Sequence, residues 1–253
     1  MKLFRQIVGE GDPLIIIHGL FGASGNWQSL VKNHFSTRYR TVALDLRNHG
    51  RSPHADQGSI AVMAEDVLEL MADEGIERAH VLGHSMGGKV AMHLALFHSH
   101  AVDKLIVADI VPRGYPRRHD SIFAALKSLD LSSFNSRSEI DKALTPQIPE
   151  FGVRQFLLKG LVHHAGTYAW GMNLDAIEAN YDSVIAEIEA WEPFEEDTLF
   201  LRGSESNYVQ DADLMSIRAL FPFAELQTIE GAGHWLHAEK PEEFARICME
   251  FLG

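Results

Sequence analysis

The chain has 253 residues, 46% hydrophobic and 23% charged, a globular composition long enough for one large α/β domain or two small ones. Lys and Arg number 22 against 35 Asp and Glu, so the net charge is −13 with His neutral, and bulk binding to nucleic acid or anionic membrane is excluded by repulsion. The one cysteine, Cys248, can form no internal disulfide or metal site, and no apolar run is long enough to span a bilayer.

Residues 1–11 alternate charged and apolar side chains without a signal-peptide core, which predicts a cytoplasmic protein. Residues 13–18 form a short apolar run ending at Gly19 and read as a strand buried on both faces. Residues 39–45 predict a second strand. Residues 59–72 place Val62, Met63, Val67, Leu70 and Met71 on one helical stripe, with Ser59 as the cap. A strand over 80–83, a helix over 89–97 and a strand over 104–109 follow. Further strands are predicted over 198–203 and 224–229, and Pro241 opens a last helix over 241–251. Strands alternating with helices predict a mostly parallel sheet flanked by helices.

Residues 112–191 break the alternation. Helical spacing is present over 121–129, 151–161 and 175–188, and no strand stands out. The expected organisation is an α/β core of residues 1–111 and 192–253, with residues 112–191 as an all-helical cap. Such an insertion can lie over the strand C-termini, where open α/β sheets bind ligands.

The sharpest motif is Gly83-His84-Ser85-Met86-Gly87, between the third strand and the following helix. A Ser on a tight strand-to-helix turn presents its hydroxyl above the sheet, and small residues on both sides let the backbones approach. Ser85 is the candidate nucleophile and needs an adjacent base. Of the 14 histidines, His234 lies in the loop Gly231-Ala232-Gly233-His234-Trp235, after the last strand and before the last helix. That loop returns to the sheet edge where Ser85 is expected. His237, nearer the helix and without flanking glycines, is the alternative base. His93, His98 and His100 fit a solvated helix face, and His163 and His164 have no partner at useful spacing.

Four stretches together resemble the α/β-hydrolase superfamily: His18-Gly19, the turn Asp45-Leu46-Arg47-Asn48-His49-Gly50-Arg51-Ser52, the Ser85 elbow with Gly88, and Gly231-Ala232-Gly233-His234. Within it, Arg47-Asn48-His49-Gly50 and the run from Gly231 to Pro241 are similar to small bacterial esterases of the YbfF type. The resemblance spans nearly the whole chain, with residues 112–191 its weakest part. It implies the α/β-hydrolase fold with a cap and a structural role for the turn 45–52.

Members of that superfamily usually carry an acid in the loop after the strand that here is 198–203. Here that loop reads Gly203-Ser204-Glu205-Ser206-Asn207-Tyr208-Val209, with Ser206 in the usual acid position. A hydroxyl cannot hold an imidazolium by charge. Asp109, at the end of the preceding strand, faces the same edge, and some members place the acid there. Glu205 and Asp211 remain alternatives, and Asp109 could instead only cap the entrance to the insertion. The oxyanion hole would use the backbone N–H of Met86 and, by family analogy, that of Leu20.

Phe21 and Trp235 either line the acyl pocket or belong to the core. Arg113, Arg117, Arg118 and His119 form a basic cluster at the start of the cap, either a solvated face or a site where a residue such as Arg118 holds an anionic part of the substrate. Gly9-Glu10-Gly11 and Gly22-Ala23-Ser24-Gly25 match no nucleotide-binding fingerprint, so no cofactor is implied, and His234 with His237 lacks a third ligand for a metal. The expected function is a serine hydrolase that cleaves carboxylic esters of small or acyl-chain substrates through an acyl-enzyme. An acyl-CoA-type thioesterase is the alternative enzyme, and a non-catalytic ligand-binding protein on the same fold is the alternative of another class.

Overall fold

The computed structural model describes all residues 1–253. Its strands are β1 (Arg5–Val8), β2 (Asp12–Ile17), β3 (Tyr39–Leu44), β4 (Ala79–His84), β5 (Val102–Ala108), β6 (Leu161–His164), β7 (Thr167–Trp170), β8 (Thr198–Gly203) and β9 (Ala224–Ile229). Seven of them form one sheet in the order β1-β3-β2-β4-β5-β8-β9. All neighbours run parallel except β1, which pairs antiparallel with β3 at the edge.

The apolar runs become strands because helices cover both faces of the sheet. Ile15 and Ile17 pack with Met63, Val67 and Val90 on one face. Leu14 and Ile16 pack with Trp27, Phe244 and Cys248 on the other. The period-two alternation of a strand thus sends successive apolar residues into two separate cores, which is why 14–17 shows no polar interruption. On the first face, the helix Ile60–Asp73 is capped as expected, with Val62 N–H donating to Ser59 Oγ at 3.3 Å.

The chain runs from β2 to β3 on one side and then to β4 on the other side of β2. The strand order reverses there, so the loops after β2 and β4 diverge and leave a crevice at their C-terminal ends. Gly19-Leu20 follows β2 and Ser85 follows β4, so both flank that crevice.

Three features depart from the sequence expectations. The edge strand β1 has no counterpart among them: it is four residues long with two exposed, too little burial to print an apolar run. The insertion between β5 and β8 is not all helical, because β6 and β7 pair as an antiparallel hairpin within it. Its turn places both Ala165 (φ +51°) and Gly166 (φ +83°) in the left-handed region. Hairpin turns of that kind usually announce themselves by Asn-Gly or Asp-Gly, and Ala in the first position hides this one. The helix expected over 175–188 is also divided, into Leu174–Ala179 and Tyr181–Ile185. Buried side chains of the insertion, among them Phe123, Leu144 and Tyr181, are continuous with one core face of the sheet. No helix is long and apolar enough to cross a membrane.

Candidate active site

Ser85 stands between β4 and the helix Met86–Phe97 with φ +53° and ψ −119°, a strained conformation for a residue with a Cβ. Three side-chain-free contacts allow the turn. A Cβ on Gly83 would lie 2.2 Å from the Gly87 carbonyl oxygen, and one on Gly87 would lie 2.4 Å from that of Ile17. A Cβ on Gly19 would meet the Ser85 Cβ at 3.2 Å, which shows how closely the loop after β2 approaches.

The Ser85 hydroxyl lies 3.0 Å from Nε2 of His234, and Nδ1 of the same ring lies 2.7 Å from Oδ2 of Asp109. A carboxylate only accepts, so Nδ1 carries the proton and Nε2 is free to accept from Ser85. Asp109 is fully buried. Its other partners are the Ser206 hydroxyl, which donates to Oδ2, and the Gly203 N–H, which donates to Oδ1 at 3.3 Å. Every donor around the carboxylate stabilises its charged form. Asp109 itself has φ +53°, so two members of this hydrogen-bonded chain sit on strained backbone.

The alternatives lie elsewhere. Glu205 is exposed, and Asp211 pairs with Arg202 at 2.7 Å. His237 stacks on Trp27 with ring centroids 4.4 Å apart and makes no contact with Ser85 through a hydrogen bond.

The Leu20 and Met86 amides flank the crevice, and neither has a backbone or side-chain acceptor in the protein. Both residues are buried and line the space beside Ser85. His18 shapes their loop: its Nε2 accepts from Leu46 N–H at 2.9 Å, so Nδ1 donates to Gly19 O at 2.8 Å. Phe21 follows at φ +62°.

Phe21 and Trp235 both line a cavity of about 230 Å³ beside Ser85, and Phe21 also packs edge-on to Phe123 of the apolar core. The basic cluster divides. Arg113 is paired with Asp213 at 2.8 Å, and Arg117 with Asp120 and Asp182 at 2.8 and 2.5 Å. Arg118 has no carboxylate partner. It donates to Asn207 Oδ1 at 2.9 Å, at the edge of a second, smaller cavity beside Ser85.

Several side chains at the site carry no local signal in the sequence. Tyr208 stacks on the His234 ring at 3.9 Å between centroids. His84, the variable residue of the elbow, uses Nε2 to donate to the His234 carbonyl at 2.8 Å, tying together the loops that carry Ser85 and His234. Lys89 is buried, and its ammonium donates to the carbonyls of Pro112, Arg113 and Ala186 at 3.0, 2.7 and 2.7 Å. It therefore clamps both ends of the insertion to the helix behind Ser85, although burial pulls its pKa down to about 7. His119 is bound to Tyr181 Oη at 2.5 Å, and burial holds its pKa near 4. Each of these contacts joins residues far apart in the chain, so only the fold could reveal them.

Burial also keeps His49 and His237 neutral, with pKa values lowered to about 3, and His84 well below its ordinary range. His49 Nε2 and His237 Nδ1 have no partner to hold a proton. Between pH 3 and 6.5 the unfolded chain binds protons at these histidines that the folded chain refuses. Stability is therefore complete above pH 6.5 and falls as the pH drops, by about 1.4 kcal/mol per pH unit for each histidine. His237→Phe is expected to reduce the slope of unfolding free energy against pH by about one proton across this window. Urea titrations at pH 4 to 7 measure it, and an unchanged slope would mean that His237 is charged in the folded protein.

The model of the alpha/beta hydrolase family matches residues 14–247. The chain is 39% identical to the sn-1-specific diacylglycerol lipase ABHD11 of Mus musculus, over 96% of this chain and 83% of that protein. It is 35% identical to the esterase YbfF of Escherichia coli, over 96% and 94% of the two chains. Among solved structures, a marine microorganism esterase superposes with a TM-score of 0.96 at 42% identity, covering 99% of each chain.

Proposed function

Because the chain belongs to the alpha/beta hydrolase family and is a carboxylic ester hydrolase, we propose that it is a serine esterase working through an acyl-enzyme. The observation that carries this reading is the hydrogen-bonded chain Ser85 Oγ to His234 Nε2, and His234 Nδ1 to Asp109 Oδ2, at 3.0 and 2.7 Å. Ser85 Oγ attacks the ester carbonyl while His234 Nε2 takes its proton. The buried Asp109 carboxylate stabilises the imidazolium and holds its tautomer. The Leu20 and Met86 N–H groups receive the oxyanion. His234 then gives its proton to the departing alcohol, and water repeats the sequence on the acyl group.

Residues 112–191 act in this reading as the cap, since Tyr115, His119, Phe156, Leu157, Tyr181 and Val184 all line the space beside Ser85. Esters are favoured over acyl-CoA-type thioesters because Arg113 and Arg117 are already neutralised by carboxylates, leaving Arg118 alone to face a polyanionic leaving group. A fluorophosphonate ester tests the mechanism. One equivalent per chain is expected to attach, at Ser85, with complete loss of hydrolysis. A protein that hydrolyses esters yet takes no label would overturn the acyl-enzyme, and a protein with neither property would be a ligand-binding member of the fold.

A further inference from the structure

Two cavities border Ser85. One is about 30 Å³ and is lined by Met86, Ile110, Tyr115, Val184 and Ile185. The other is about 230 Å³ and is lined by His234, Trp235, Phe21, Phe156 and Val153. Leu20, His119 and Tyr208 border both.

Resting on the serine-esterase reading above, we infer that the small cavity takes the acyl group and the large one the alcohol, so that the substrates are acetyl or propionyl esters of bulky apolar alcohols. The assignment follows from the proton. In the tetrahedral intermediate the carbon carries Ser85 Oγ, the oxyanion, the alcohol oxygen and the acyl chain. When the carbon–oxygen bond to the alcohol breaks, its electron pair stays on the alcohol oxygen, which takes the proton His234 Nε2 removed from Ser85. The acyl group remains bonded to Ser85 Oγ. The alcohol oxygen must therefore lie toward His234, and His234 borders only the large cavity. The oxyanion points to the Leu20 and Met86 amides, which leaves the acyl chain the remaining direction, into the small cavity.

At about 30 Å³ against about 230 Å³, the first cavity is the tighter of the two and suits the shorter group, a methyl or ethyl. The cavity is also braced. Tyr115 Oη accepts from Val111 N–H at 3.0 Å and donates to the Tyr208 carbonyl at 2.9 Å, and the Lys89 ammonium clamps the chain on both sides through Pro112 and Ala186. The large cavity is walled by the aromatic rings of Phe156 and Trp235, 5.5 Å apart, and offers an apolar surface to a long or ring-bearing alcohol.

Isomeric esters separate the two directions. Hexyl acetate and methyl heptanoate have the same atoms and differ only in which side of the carbonyl carries the chain. Since one misplaced methylene changes kcat/KM by about 10- to 200-fold, hexyl acetate is expected to be favoured by at least about 100-fold. In Val184→Ala the ratio of hexyl butyrate to hexyl acetate turnover is expected to rise about tenfold, and in Phe156→Ala it is expected to stay constant. A preference below tenfold or for methyl heptanoate, or a ratio moved by Phe156→Ala and not by Val184→Ala, overturns the assignment. If Ser85 still takes the fluorophosphonate label in that case, the pocket assignment alone has failed. If it takes none, the serine-esterase reading has failed and the assignment with it.

Discussion

Ser85→Ala is expected to fold as the parent does and to hydrolyse esters about 10⁴- to 10⁶-fold more slowly. The loss corresponds to about 5 to 8 kcal/mol of transition-state stabilisation. It is large because, in the proposed mechanism, the hydroxyl oxygen forms the covalent bond. The hydroxyl of Ser206 is bonded to Asp109 on the far side of the His234 ring, and those of Tyr115 and Tyr181 are held by the Tyr208 carbonyl and by His119. Stability should barely change. Ala has the same Cβ as Ser at φ +53°, so the backbone strain is equal in both proteins, and one half-buried hydrogen bond to His234 is lost. The rate with a chromogenic acetate and the urea midpoint measure the two quantities. Activity within tenfold of the parent would remove Ser85 from the mechanism.

The second large effect is expected at Asp109. Its carboxylate accepts from three donors: His234 Nδ1, the Ser206 hydroxyl and the Gly203 N–H. Asn has the same shape but offers one acceptor and one N–H₂ group. In Asp109→Asn one of the three donors must face another donor, and the imidazolium loses its counter-charge. Turnover is expected to fall by about 10⁴ with little change in KM. Glu205→Gln and Asp211→Asn are expected to stay within about tenfold, because both side chains lie at the surface.

Position 206 supplies the decisive control. Its hydroxyl already touches Oδ2 of Asp109, the oxygen that receives His234. A carboxylate there would reach the same ring nitrogen, so Asp109→Asn with Ser206→Asp is expected to recover at least about tenfold over Asp109→Asn alone. In the parent background Ser206→Asp would set two carboxylates side by side and should impair activity, since one of them must take up a proton. Severe loss in Glu205→Gln with a mild effect in Asp109→Asn would move the acid to the surface loop.

The strands β2, β4, β5 and β8 were legible because burial on both faces leaves a short apolar run at the centre of each. The elbow was legible because Gly83 and Gly87 are required by contacts within the motif or with the adjacent strand, so the constraint appears at fixed spacing. The hairpin β6–β7 and the edge strand β1 were not, because short, half-exposed strands tolerate polar residues and leave no period to read. The choice of acid was open for a related reason. A carboxylate at 109, 205 or 211 satisfies the order of residues along the chain equally well, and only the distance to the imidazole distinguishes them.

The sequence by itself therefore determined the parallel α/β architecture and singled out Ser85 and His234, the two positions proposed to react, because their requirements are local: an apolar period, a glycine-flanked turn, a loop after a strand. The tertiary structure alone decided which acid meets His234, how Ser206, His84 and Lys89 brace the site, and that the space beside Ser85 is split unequally in two. Those properties are made by pairs such as His84 with His234 or Lys89 with Ala186, separated by roughly a hundred residues or more along the chain. No residue in such a pair constrains its own neighbours, so neither leaves a pattern until the sheet has brought the two together.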